Sequence, residues 1–156
     1  MKRTLAATAV LLAMSAVSTS LEAQAAPLVV GAWEIEYARG QRVGPEGTEN
    51  IMGKGKMTIV QSGDSLLATL DLGPRPDGTP SPAATIGGRL SGGNAVFVQK
   101  QKVTLNINGD MQQADATVTW TLSAAGDALT GTIAREIPTM GNTSAPSPVK
   151  GTRLKS

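Results

Sequence analysis

The sequence predicts an all-β fold: one domain of eight antiparallel strands running up and down and closed into a barrel. Two observations carry this. Gly-Asp and Gly-Asn style turn signals recur at Gly63-Asp64, Gly92-Gly93-Asn94, Asn108-Gly109-Asp110, Gly126-Asp127 and, more loosely, Gly141-Asn142, and such pairs supply the positive φ angles that tight hairpins require. Between them apolar and polar residues alternate with period two, and beyond the N-terminal apolar run no segment shows a helical apolar period of useful length, which disfavours folds needing crossover helices. Closure removes the edges an open sheet would expose. A two-sheet sandwich is the alternative, because strand count and turn spacing do not fix the path between sheets.

The chain opens on Lys2-Arg3, continues through an apolar run from Leu5 to Val17, and reaches Ala23-Gln24-Ala25 before Ala26-Pro27. That is the three-part pattern of a secretory signal peptide, with cleavage expected after Ala25. The apolar run is short for a permanent membrane anchor, the competing reading. The expected organisation is therefore a signal peptide over residues 1–25 and a single domain over 26–156, with a periplasmic or secreted location. The remaining 131 residues suffice for one continuous core and are too few for two ordinary domains. No cysteine occurs in the chain, so there is no lipid-modification site at the cleavage point and no disulfide.

From Leu28 to Ala38, Trp33, Ile35 and Tyr37 share one face and Glu34 and Glu36 the other, the mark of a half-buried strand. Gly44-Pro45-Glu46-Gly47 and Gly53-Lys54-Gly55 interrupt the pattern, so residues 40–55 read as a long connection over one mouth of the barrel. Residues 56–61 and 65–72 form a hairpin about Gly63-Asp64, with Met57 and Ile59 on the side of Leu66, Ala68 and Leu70. Its turn-plus-strand pattern returns at Gly126-Asp127-Ala128-Leu129. Pro74, Pro76, Pro80 and Pro82 cannot donate to a ladder and mark a stiff loop. Further strands are expected at 85–90, 95–108 with a bend near Gln99 to Gln101, 111–123, 128–137 and 149–154; Val118, Trp120 and Leu122 alternating with threonines give the most regular inward/outward pattern.

At the two ends of this series stand Gly31-Ala32-Trp33 and Arg153. They resemble the Gly-x-Trp and closing Arg of the lipocalins and the wider calycin group, and the chain is similar to small exported bacterial lipocalin-like domains in Leu129-Thr130-Gly131-Thr132 and in Gly88-Arg89-Leu90-Ser91-Gly92-Gly93-Asn94. The resemblance implies that Arg153 packs across Trp33 at the closed end, with Gly31, Trp33 and Arg153 acting structurally. It departs from the family in lacking a disulfide, a further placeable motif and abundant aromatics.

With no histidine and no cysteine in the chain, the commonest metal ligands, the usual general base and the thiol nucleophile are missing. Asp64, Asp71, Asp110, Asp115 and Asp127 fall in turns or on polar strand faces, and no Gly-x-Ser-x-Gly elbow or phosphate loop occurs. The expectation is no enzymatic activity, no catalytic residue, no metal and no cofactor. The net charge is +2, and removing Lys2, Arg3 and Glu22 with the signal leaves 12 basic against 11 acidic residues. Near neutrality and the lack of a basic stripe argue against a nucleic-acid partner; Lys54, Lys56, Lys100 and Lys102 read as solvated edge charges. An outer-membrane barrel would need apolar residues outside and aromatic girdles, whereas the alternation here puts the apolar face inside.

The expected function is binding of a small apolar or amphipathic molecule in the barrel, with Ile35, Val118, Trp120, Leu129, Ile133 and Arg135 as candidate cavity liners. Arg135 shares strand parity with Leu129 and Ile133; pointed inward, its charge would need an acid such as Glu34 or Glu36, or an anionic ligand. The alternative is a protein-interaction barrel, such as a secreted protease inhibitor, with a core filled by side chains and surface loops or the segment 26–30 meeting the partner.

Overall fold

A computed structural model describes residues 28–74, 78–107, 110–138, 142–143 and 145–155. Residues 1–25, read above as a signal peptide, and the turn signals at Asn108-Gly109 and Gly141 lie outside them. The strands are β1 (Gly31–Gly44), β2 (Gly47–Ser62), β3 (Ser65–Asp71), β4 (Ala84–Ser91), β5 (Asn94–Ile107), β6 (Asp110–Ala125), β7 (Ala128–Ile137), the two-residue β8 (Asn142–Thr143) and β9 (Ser147–Arg153). Every pairing is antiparallel, and β1 to β7 follow one another as a meander. The last strand, β9, then inserts between β7 and β1 and closes an eight-stranded barrel, while β8 adds only a short pairing onto β7. The sandwich alternative is thereby set aside.

Turn chemistry explains one end. Gly63, Gly92, Gly93 and Gly126 sit at φ between +57° and +83° in two-residue turns joining β2–β3, β4–β5 and β6–β7, geometry an L side chain adopts at a cost. These turns, with residues 28–30 and the end of β9, gather at one rim. The other rim carries the tips of the long β1–β2 and β5–β6 hairpins, the proline-bearing segment after β3, and the passage from β7 to β9.

The inward face is the alternating set expected. Trp33, Ile35, Met57, Ile59, Leu66, Ala68, Phe97, Leu122, Leu129 and Val149 are fully buried in one cluster. Met57 opposes Leu70 and Ile59 opposes Ala68, the hairpin facing that the sequence pattern requires. Each large side chain so buried contributes about 1.5–3 kcal/mol of transfer free energy. Among the described residues no polar or charged residue is buried.

Residues 40–55 depart from expectation. They are a continuous hairpin: β1 and β2 pair from Gly31↔Ile59 out to Gly44↔Gly47, turning at Pro45-Glu46. Gly53 and Gly55 are interior strand positions and break nothing. The Tyr37 ring lies against Gly53, where an added Cβ would meet its Cζ at 3.3 Å, and at Gly55 a Cβ would meet the Asp71 carbonyl at 2.7 Å. A missing side chain on one strand is thus filled from its neighbours, a compensation across the barrel wall that composition along a single strand does not reveal.

Candidate functional site

The closed end is built on Trp33. Its indole N–H donates to the Val29 carbonyl (2.8 Å), and the Arg153 guanidinium lies 4.1 Å from the ring centroid. Arg153 Nη1 donates to Val30 O (2.9 Å), Nη2 to Leu28 O (2.8 Å) and to Gly126 O (3.4 Å), and Nε stands 3.5 Å from the Asp127 carboxylate. One planar cation thereby donates to three backbone carbonyls that lie outside the strands, while its face rests on the indole. Gly31 completes the arrangement: it sits at φ +138°, and the space a Cβ would take is held by Arg153 Nη1. The side-chain N–H groups of Trp33 and Arg153 thus find partners within the closed end, and Gly31, Trp33 and Arg153 pack together as a plug.

The opposite end holds a cavity of about 230 Å³. Its floor and walls are Tyr37, Leu72, Val118, Trp120 and Ile133; nearer the rim stand Arg39, Gln99, Gln101 and Arg135, with Ser81 from the proline-bearing segment. Tyr37 and Trp120 meet with ring centroids 5.9 Å apart and planes tilted by 50°. The Trp120 indole N–H is buried and has no acceptor among the described residues, in direct contrast to Trp33. A buried donor left without a partner costs about 1–3 kcal/mol, and such a group is common where a ligand or water completes the site.

Register explains which side chains reach this cavity. Val118 opposes both Gln99 and Arg135, and Trp120 opposes both Phe97 and Ile133, so the three strands present an apolar row and, above it, a mixed row in which Gln99 and Arg135 flank Val118. On β1 the pairing slips between Ala38↔Met52 and Gly40↔Ile51, making Arg39 the extra residue of a β-bulge. A bulge at a barrel rim re-aims the side chain it carries, and Arg39 joins the cavity lining beside Tyr37. Burial raises the pKa of the Tyr37 phenol, opposed by the positive charge of Arg39; the phenol is neutral at ordinary pH and retains its O–H as a donor.

Of the six candidate liners, Val118, Trp120, Ile133 and Arg135 come together here. Ile35 and Leu129 are fully buried in the packed part of the barrel, and Leu129 also borders an outer groove. Glu34 and Glu36 lie exposed on the outside of β1, with Glu36 3.2 Å from Lys54; they are not the acids that meet Arg135 inside. Tyr37, Arg39, Gln99 and Gln101 were not among the candidates. Tyr37 had a usable signal, sharing parity with Trp33 and Ile35, and Gln99 and Gln101 stood on the inward parity of Ala95 and Phe97. Arg39 had none, because the slip that redirects it arises from pairing with β2.

A larger groove of about 510 Å³ runs along the outer face of β7, β9 and β1, lined by Glu34, Glu36, Lys54, Lys150 and neighbouring threonines. Its charges are mixed and exposed, as on a solvated wall, and it presents no buried donor in want of a partner. No group of His, Cys, Asp or Glu among the described residues is placed to hold a metal ion. Comparison of the chain with protein-family descriptions, with curated proteins and with solved structures finds no match.

Proposed function

We propose that this chain is an exported, lipocalin-like binding protein that holds a small amphipathic molecule in the open end of its barrel. The observation that carries the proposal is the contrast inside one barrel: at the packed end the Trp33 N–H and the Arg153 guanidinium have partners, while the mouth keeps a cavity of about 230 Å³ with an aromatic floor and the buried N–H of Trp120 without an acceptor among the described residues. An apolar pocket with a few convergent polar groups is the ordinary form of a small-molecule site. Export is supported by the Lys2-Arg3, Leu5–Val17 and Ala23-Gln24-Ala25 pattern at the N-terminus.

The test is native mass spectrometry of the protein purified gently from its own host, followed by organic extraction. A stoichiometric small molecule on a chain whose mass begins at Ala26 is the expected result. A bare mass, together with failure to take up an apolar fluorescent probe, would move the reading to a barrel that works through its outer surface, and a mass that includes residues 1–25 would remove the export reading.

A further inference from the structure

Resting on the binding reading above, we infer that the molecule held in the mouth is a short extended peptide, added as a strand to the open edge of β5, with one large apolar side chain lowered into the cavity. The edge is visible in the register. β5 and β6 pair over thirteen residues, from Ala95↔Leu122 to Ile107↔Asp110, whereas β4 and β5 pair over four, from Ser91↔Asn94 to Gly88↔Phe97. Continued pairing would set Gly87 against Val98 and Ala84 against Gln101, but β4 stays with β3 there, out to Leu70↔Ala84. The fork stands at Gly88, where an added Cβ would meet the Phe97 ring and, at 2.6 Å, the Val96 carbonyl. From Val98 on, β5 pairs with β6 on one side and with no described strand on the other. Such an edge presents a row of backbone N–H and C=O groups, the template with which an extended chain pairs.

The cavity lies beside that edge. Gln99 and Gln101 are half-buried and line it, Val98, Lys100, Lys102 and Thr104 are exposed on the outer face, and β4 contributes none of the lining residues. Cross-strand neighbours in a sheet point to the same side. A peptide residue opposite Gln101 therefore projects inward, toward Tyr37, Val118 and Trp120, and its two neighbours project outward beside Lys100 and Lys102. At about 230 Å³, the cavity falls below the roughly 300–1,000 Å³ of pockets for drug-sized ligands and suits a single large side chain. The occupant is thus specified on both faces: an aromatic or branched apolar residue inside, and acidic residues outside, because opposite charges across a strand pair are favourable. Backbone hydrogen bonds supply affinity and the pocket supplies selectivity, as in other cases of strand addition.

The test compares the blocked pentapeptide acetyl-Thr-Glu-Phe-Glu-Thr-amide with N-acetylphenylalaninamide, which carries the same apolar side chain on no strand. Both are titrated into the wild-type protein by calorimetry, with tryptophan fluorescence as a second readout. The pentapeptide is expected to bind at least about tenfold more tightly, the gain that two or three backbone hydrogen bonds provide. Alternate residues of an extended peptide turn their backbone groups to opposite edges, so methyl groups on the amide nitrogens of the two glutamates and, separately, of the phenylalanine and the last threonine should differ: one set abolishes the gain and the other leaves most of it. Lys100→Glu, at an exposed position, should weaken the pentapeptide several-fold and strengthen its counterpart with lysines in place of the glutamates. A pentapeptide no tighter than N-acetylphenylalaninamide, or an equal response to the two methylated sets, would overturn strand addition and leave the binding reading intact. Failure of the peptides, N-acetylphenylalaninamide and an apolar fluorescent probe alike would overturn both.

Discussion

The two ends of the barrel use the same pair of residue types to opposite effect. At the closed end Trp33 gives its N–H to Val29 O, and Arg153 covers the ring while satisfying the carbonyls of Leu28, Val30 and Gly126. At the open end Trp120 is also buried, yet its N–H has no acceptor among the described residues, and Arg39 and Arg135 line a cavity. The difference teaches that an arginine near an indole is not in itself a closing device. Closure at Trp33 depends on short turns that bring several chain ends within reach of one guanidinium. The mouth lacks that convergence, because its strands run on into long hairpins.

The comparison can be broken most directly at Trp33. Trp33→Ala should cost about 3–5 kcal/mol, as for other large aromatic truncations in a core, read as a fall in the urea midpoint; a loss below about 1 kcal/mol would show that the plug is dispensable. Gly31→Ala places a methyl where Arg153 Nη1 lies, at φ +138°, and should cost about 2–3 kcal/mol, with a drop in melting temperature that Arg153→Ala partly relieves in the double variant. Arg153→Met should cost about 2 kcal/mol by removing charge-assisted bonds to three carbonyls, whereas Arg39→Gln should change stability by no more than about 0.5 kcal/mol. Equal losses from the two, measured by denaturation, would erase the distinction between the ends.

A sharper and smaller contrast comes from Trp120→Phe. The phenyl ring keeps most of the packing and removes the donor that has no acceptor, so stability should change by less than about 1.5 kcal/mol, while bound-molecule recovery on extraction should fall. The smallest effect concerns Tyr37, the single tyrosine of the chain, whose ionisation can be followed alone at 295 nm. Burial raises its pKa above the ordinary value of 10.0 and Arg39 lowers it. Arg39→Gln should therefore push the phenolate transition to still higher pH, and a shift downward would mean that the guanidinium is not beside the phenol. The linkage sign follows from the raised value: the stabilisation is present in full below pH 10 and is lost as pH rises through the folded-state pKa.

What the amino-acid sequence determined by itself was the local part. Period-two alternation placed Trp33, Ile35, Met57, Ile59, Val118, Trp120 and Leu122 on the inner face, and Gly-containing pairs at 63–64, 92–93 and 126–127 located the turns of the closed end, because side-chain parity and positive φ are properties of a few adjacent residues. The stacking of Arg153 on Trp33 was not a matter of parity; it was expected only from the resemblance of Gly31-Ala32-Trp33 and Arg153 to the Gly-x-Trp and closing Arg of the lipocalins.

The tertiary structure alone decided the open end. Residues 40–55 read as a loop because Gly44, Pro45, Gly53 and Gly55 weaken a strand considered singly, but pairing with β1, the Tyr37 ring over Gly53 and the close approach of Asp71 and Leu72 to Gly55 make them a hairpin. The bulge at Arg39 exists only as a mismatch in count between two paired strands. The gathering of Tyr37, Gln99, Gln101, Trp120 and Arg135 around one cavity likewise depends on register across β1, β5, β6 and β7. Local chemistry chose which residues face inward; long-range pairing set their height along the barrel, and height separated a filled plug from an open mouth.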